Sequence, residues 1–345
     1  MKAKYFLGTD LPIIQSPMAG VQDNVLAAAV CSAGGLGSLP CALLSIDELR
    51  SELEAMKQQT DMPYSANFFC HQTPIVNAER EAKWRAQLKP YLAEFGMSVN
   101  DIPAAAKREP FNHAMADVLE QYKPAIVSFH FGLPAADLVN RVKGWGSTII
   151  ASATTLQEAL WLEAHGADGI IAQGLEAGGH RGIFLSQDIT TQIGSFALLP
   201  QIINQVKLPV IAAGGIADAT GVAAALALGA TAVQLGTAYL LCNETNTSQI
   251  HRAAIKSDAS RHTAITNLFS GRPARSIVNR IMQEIGPINK NTSEFPLAIT
   301  AISALRKQAE SAGSGDFSSL WCGQNATGCK EISAAEMTRA LAAQL

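Results

Sequence analysis

Gly169-Ile170-Ile171-Ala172-Gln173-Gly174-Leu175-Glu176-Ala177-Gly178-Gly179-His180-Arg181-Gly182 joins a short apolar run to a glycine-rich one. Residues Gly169 to Ala172 read as a buried parallel strand. Four glycines in the nine residues that end at Gly182 serve neither helix nor strand, because each loses much backbone entropy on ordering and adds no side chain. They suit a loop whose backbone comes close to something flat or anionic. His180 is the one side chain in that loop that titrates near neutral pH. The stretch reads as a loop at the mouth of a barrel that presents one imidazole to a bound cofactor and substrate.

Working outward, the same short apolar run recurs. It appears at Leu11 to Gln15, Leu36 to Leu39, Pro63 to Phe69, Ala125 to Phe129, Ser147 to Ala151, Pro209 to Ala213 and Ala232 to Leu235. Helical patterns lie between most of these runs. One opens at Ser45 with Glu48 three residues on, the spacing of a capping box, and another starts at Asp218. Gly166 and Gly229 stand where helices should stop. Eight apolar rather than alternating strands, nearly all followed by helices, predict an α/β fold, a closed (β/α)8 TIM barrel, with a doubly wound open sheet as the alternative. Residues 75–123 hold too much helical pattern for one crossover, and from about residue 246 the strand rhythm stops. The expected organisation is therefore a barrel over 1–74 and 124–245, with 75–123 and 246–345 forming a smaller helical cap or substrate domain.

Composition narrows the class. The chain has 345 residues, 48% hydrophobic and only 16% charged, and a net charge of −3, which suits a well-buried globular protein. That balance offers no basis for nucleic acid or a membrane surface as partner. No apolar run reaches the ~20 residues that span a bilayer, and no secretory leader opens the chain, so a cytoplasmic location is expected. The six cysteines show no metal-site spacing and read as reduced, partly buried thiols, with no metal expected.

The chemistry should sit at the C-terminal ends of the strands. Ala213-Gly214-Gly215-Ile216-Ala217 and Gln234-Leu235-Gly236-Thr237 put glycines at the last two strand ends, where bare backbone N–H groups and the Thr237 hydroxyl can take a phosphate. Asn67 and Gln173 offer amides suited to the edges of an isoalloxazine ring. Met18 either packs against that ring or fills core. Among the histidines, His71 and His130 lie at strand exits. In Ser128-Phe129-His130-Phe131, alternation points Ser128 and His130 one way and the two phenylalanines the other, which makes His130 a substrate-pocket group or a hydrogen-bonded wall residue. His113, His165, His251 and His262 read as surface or capping residues. Arg272 and Arg275 either clamp an anion or belong to a solvated turn. His180 is the catalytic residue expected from its loop.

At these residues the chain resembles the nitronate monooxygenase (2-nitropropane dioxygenase) family, in its bacterial class. The segments that carry the resemblance are Pro12 to Val21, Asn67 to His71, Ser128 to Gly132, Gln173 to Gly182, Ala212 to Ala217, Gln234 to Thr237 and Phe269 to Arg275, in family order along most of the chain. Ser276 stands where the family usually has glycine. The resemblance implies non-covalent FMN, contacted by Asn67, Gln173, Gly178, Gly215 and Gln234 to Thr237, with His180 as active-site histidine and His130 in the substrate pocket. It further implies oxidative denitrification, a detoxifying reaction in which an alkyl nitronate such as propionate 3-nitronate reacts with O2 to give a carbonyl compound and nitrite. His180 would either stabilise the nitronate oxygens as a donor or take the α-proton of a nitroalkane as a base. Two alternatives stand beside this one: an FMN-dependent, NADH-using enoyl-thioester or quinone reductase, and a flavin-binding protein without turnover.

Overall fold

The structure is a computed structural model, and it describes residues 3–103 and 108–345. Among the described residues there are eleven strands. They are β1 (Ile13–Gln15), β2 (Gly37–Pro40), β3 (Tyr64–Phe69), β4 (Ile126–His130), β5 (Thr148–Ala153), β6 (Gly169–Gln173), β7 (Gly179–His180), β8 (Val210–Ala213), β9 (Ala232–Leu235), β10 (Thr263–Thr266) and β11 (Ala274–Ile277). Helices, in chain order, are α1 (Ala3–Leu7), α2 (Asn24–Ser32), α3 (Ile46–Gln59), α4 (Ala78–Glu94), α5 (His113–Tyr122), α6 (Ala136–Gly144) and α7 (Leu156–Ala164). They continue with α8 (Ser195–Ile203), α9 (Ala219–Ala227), α10 (Gln249–Lys256), α11 (Arg280–Ile285), α12 (Ala298–Ser311) and α13 (Ala334–Leu341). Local chemistry starts the expected helices where it should. Ser45 and Glu48 form the capping box of α3, and the Asp218 carboxylate accepts from Gly221 N at 2.8 Å to open α9.

Eight strands pair in parallel in the order β1-β9-β8-β6-β5-β4-β3-β2. A parallel bridge between Ile14 and Leu36, with Gln15 N donating to Leu36 O at 3.0 Å, joins the two ends. The sheet is thus a closed (β/α)8 barrel, and the open-sheet alternative falls. Side-chain parity explains why the strands looked apolar throughout. Ile14, Ile126, Ile150, Ile171 and Ile211 pack together inside the barrel, while Ile13, Val127, Ile149, Ile170 and Ala212 face the helices. Before β1 the chain forms α1. Its Leu7 joins the interior cluster and Phe6 packs against it, so an apolar plug closes one end of the barrel.

A second core lies outside the barrel. It joins Trp84, Leu88 and Leu92 of α4 to Ile302 and Leu305 of α12, with Phe269 and Phe317. Two helices expected in that region pack elsewhere. Helix α5 lies against α3 and α6, with Met115 and Leu119 in the barrel's outer core, and α13 lies against α2 and α9. The region after residue 246 also departs from the all-helical expectation. There β10, β11 and β7 form a three-stranded antiparallel sheet, in which Ala274 pairs with His180 and Arg275 with Gly179. No helix among the described residues is long and apolar enough to cross a membrane.

Candidate active site

Odd-even alternation along the strands decides which side chains reach the barrel mouth. Residues that follow the interior isoleucines by two positions turn inward at the C-terminal ends: Ser128 after Ile126, Ser152 after Ile150 and Gln173 after Ile171. These line a cavity of about 490 Å3, and so does His130. The cavity also takes Met18, Asn67, Gly178, His180, Gly214, Gly215, Gln234, Leu235, Gly236 and Thr237. The structure thus brings together all twelve residues expected to touch cofactor or substrate, whereas His71, Arg272 and Arg275 do not line this cavity.

The glycine loop is held from several sides. Arg181, fully buried, donates Nη2 to Gln173 O and Nη1 to Gly174 O, both at 2.7 Å, and Nε to Gln192 Oε1 at 2.9 Å. It closes the loop on itself and is one feature the sequence reading missed, since an arginine next to glycines looks solvated. Gln173 is used at both ends of its amide. Oε1 accepts from Gly182 N at 2.8 Å, and Nε2 donates to His180 O at 3.0 Å, leaving one N–H. At Gly178 a Cβ would come within 2.6 Å of Cys322 C, so only a bare backbone lets the tail pass there.

His180 sits in an aromatic box. Trp321, Phe295, Phe131 and Phe69 have ring centroids 5.5, 5.6, 6.0 and 6.1 Å from its imidazole. Burial first, and the nearby Arg272 charge second, push its pKa down to about 3, so the imidazole is neutral. Its Nε2 lies 2.9 Å from Ser270 Oγ. The Ser270 hydroxyl has Arg272 O at 3.2 Å as an acceptor. If its single proton goes there, His180 Nε2–H donates to Ser270 and the Nδ1 lone pair stays open. Rotation of that hydroxyl toward Nε2 gives the other tautomer, with Nδ1–H. Neither arrangement needs a charged imidazole.

His130 is a wall residue as well as a cavity residue. Its Nε2 donates to His180 O at 3.2 Å, and its Nδ1 lies 3.0 Å from Ser152 Oγ. Burial, then the neighbouring His180 and Arg272, hold its pKa at about 3. Phe131 does not follow the alternation expected for it. Its φ of +71° takes it out of the strand path, so its ring lies 4.5 Å from that of His130 and joins the box around His180. Arg272 lies over the Phe131 ring at 3.9 Å and donates to Ile183 O, and Arg275 donates to Leu175 O at 3.0 Å. These two arginines are therefore packed into the protein rather than held in a solvated turn. His251, expected at the surface, is buried, with Nε2 at 3.1 Å from Trp321 O and its pKa lowered to about 4 by burial. A histidine at the third position of α10 gave no sequence signal for this, because its partner lies in the tail.

At the other side of the cavity, the ends of β8 and β9 supply bare backbone. Gly214 and Gly215 have φ of +110° and +76°, values that favour glycine, and a Cβ at Gly214 would meet Gly174 O at 3.1 Å. Among the described residues, the N–H groups of Gly214, Gly215 and Gly236 donate to no protein acceptor. Asn67 donates to Ser128 Oγ at 2.9 Å through Nδ2, which leaves its Oδ1 open. An anion with a flat polar ring attached fits this set: unpaired amides at two strand ends, and amide edges further along the wall. All six cysteines are free thiols, and no metal-binding cluster occurs among the described residues.

Comparison with known proteins shows the family of the chain. The family model described as Nitronate monooxygenase matches residues 2–344. A Paraburkholderia phytofirmans nitronate monooxygenase is 43% identical over 98% of this chain and 93% of its own length. One from Pseudomonas aeruginosa is 40% identical over 98% and 97%. Among solved structures, nitroalkane oxidase from Streptomyces ansochromogenes superposes with a TM-score of 0.91 at 37% identity, covering 100% of this chain and 98% of that one. FabK from Thermotoga maritima superposes with a TM-score of 0.75 at 27% identity, covering 99% and 94%.

Proposed function

From the premise that this chain belongs to the nitronate monooxygenase family, we propose that it oxidises alkyl nitronates with O2 to a carbonyl compound and nitrite, using FMN. The observation that carries the reading is the meeting, in one cavity, of a neutral boxed imidazole with unpaired amides at two strand ends. Gly214, Gly215, Gly236 and Thr237 would hold the FMN phosphate. Gln234, Gly178, Gln173, Asn67 and Met18 would line its ribityl chain and ring, with Leu235 behind them. When bound, the flavin supplies the redox chemistry, and the protein supplies position, a dry wall and proton control.

His180 is the catalytic residue of this reading. With Nε2–H on Ser270, its Nδ1 lone pair takes the α-proton of a nitroalkane. In the other tautomer, Nδ1–H donates to a nitronate oxygen. His130 keeps the loop carbonyl of His180 in place and borders the substrate. We further assign α5 and α13 to the barrel ring, and α4 with most of the region after residue 246 to a cap over the cavity. A cytoplasmic, small-molecule enzyme is the setting that fits this chemistry.

The test is direct. Purified protein supplied with FMN and propionate 3-nitronate should consume O2 and release nitrite in step, with no need for NADH. NADH-dependent turnover without nitrite would favour the reductase reading instead, and a yellow protein inert to both would favour flavin binding without turnover.

A further inference from the structure

One charge on the cavity wall has no counter-charge. Arg108 lines the cavity and is partly buried, and burial alone moves its guanidinium below the usual arginine range. Other partly buried arginines have partners: Arg80 pairs with Glu294, Arg85 with Glu81 and Arg280 with Glu94. Among the described residues, the Arg108 guanidinium makes neither a hydrogen bond nor an ion pair. The neighbouring Ala104, Ala105, Ala106 and Lys107, outside the described residues, bring no carboxylate, and Glu109 is exposed. The other charges lining the cavity are Arg306 and Glu310, which lie 3.9 Å apart and offset each other. The cavity is left with one uncompensated positive charge.

The Arg108 backbone is fixed relative to His180. Its carbonyl accepts from His71 Nε2 at 3.1 Å. The His71 ring meets Phe295 edge-on at 4.9 Å, and Phe295 is one wall of the His180 box at 5.6 Å. Arg108 also lines a second cavity of about 470 Å3, which shares Ile299 and Ser303 with the first, so the residue stands where the two meet. The charged groups of that second cavity are Asp101, whose carboxylate accepts from Ser98 N at 2.6 Å, and Lys307.

We propose that Arg108 is a specificity-determining residue, whose guanidinium holds a carboxylate at the far end of the nitronate and so selects nitronates with a second anionic group over uncharged-tail nitronates of equal length. The proposal rests on the functional reading above. A partly buried guanidinium with no partner gains from a carboxylate what a surface arginine cannot, and its planar fork takes both oxygens at once. His180 and Arg108 line the same cavity, so one substrate can address both.

Steady-state kinetics of the FMN-loaded wild type, Arg108→Met and Arg108→Lys would use propionate 3-nitronate and propyl-1-nitronate, read as O2 uptake. Arg108→Met should raise KM for the carboxylate substrate about 10- to 100-fold, with kcat and propyl-1-nitronate turnover nearly unchanged. Arg108→Lys should fall between the two. Equal effects on both substrates, or on neither, would overturn the assignment. So would loss of FMN from Arg108→Met, which would place the cofactor phosphate at this residue. Calorimetry with succinate separates this idea from the functional reading. Should no nitronate be turned over at all, succinate binding that is present in wild type and lost in Arg108→Met would still support the anion site, and equal binding would sink it.

Discussion

His180 shows how a residue's chemistry depends on what surrounds it. An exposed imidazole is half protonated near pH 6.5. Here four aromatic rings remove water, and the Arg272 charge behind Phe131 disfavours a second cation, so the pKa falls to about 3. A group lowered in this way stays neutral at every pH above that value. The pH profile of kcat/KM on a preformed nitronate should then lack an acid limb near pH 6.5 from this residue, and a limb there that vanishes in His180→Asn would contradict the assignment. His180→Ala should retain FMN, since the phosphate amides are untouched, and lose about 10²- to 10⁴-fold in turnover. Unchanged turnover would remove His180 from the mechanism.

At the level of elements, a tail segment crosses the loops that follow β6, β8 and β9. Gly323 N donates to Thr237 Oγ1 at 2.9 Å, Gln324 N to Glu176 O at 3.0 Å and Asn325 Nδ2 to Gly215 O at 3.3 Å. At Gly328 a Cβ would stand 1.8 Å from Ala217 O, so the tail can lie there only without a side chain. Gly328→Val should lift it from the loops, at a cost of about 1–3 kcal/mol and about a tenfold loss of FMN affinity, measured by fluorescence titration. An unchanged affinity would show that the tail does not support the cofactor site. The eight barrel strands were legible because each is a mostly apolar segment of three to six residues buried on both faces. The β7–β11 pairing was not, because a two-residue strand, Gly179–His180, has no periodicity and its partner lies far along the chain. In the same way, glycines at strand ends marked the loops that line the cavity, whereas Arg181 and His251 owe their places to neighbours that no local pattern names.

For the molecule as a whole, the same buried imidazoles couple folding to pH. His130 and His180 have pKa values of about 3 and His251 of about 4, against about 6.5 in an unfolded chain. Between those limits the unfolded chain binds protons that the native protein refuses. Stability from this source is therefore fully present above pH 6.5 and falls as pH drops toward 4 and then 3. His251 is the cleanest reporter, because it is 4% exposed, takes no part in the proposed chemistry, and its imidazole makes one hydrogen bond, to Trp321 O. Its share lost between pH 7 and pH 4.5 is about 2 kcal/mol. His251→Gln keeps a donor for Trp321 O and cannot titrate, so it should flatten the fall of the urea midpoint over that range in FMN-free protein. A slope identical to wild type would mean that the acid sensitivity arises elsewhere. Saturating FMN should raise every midpoint without removing the slope, because a ligand that binds only the native state adds its own free energy on top of the proton linkage.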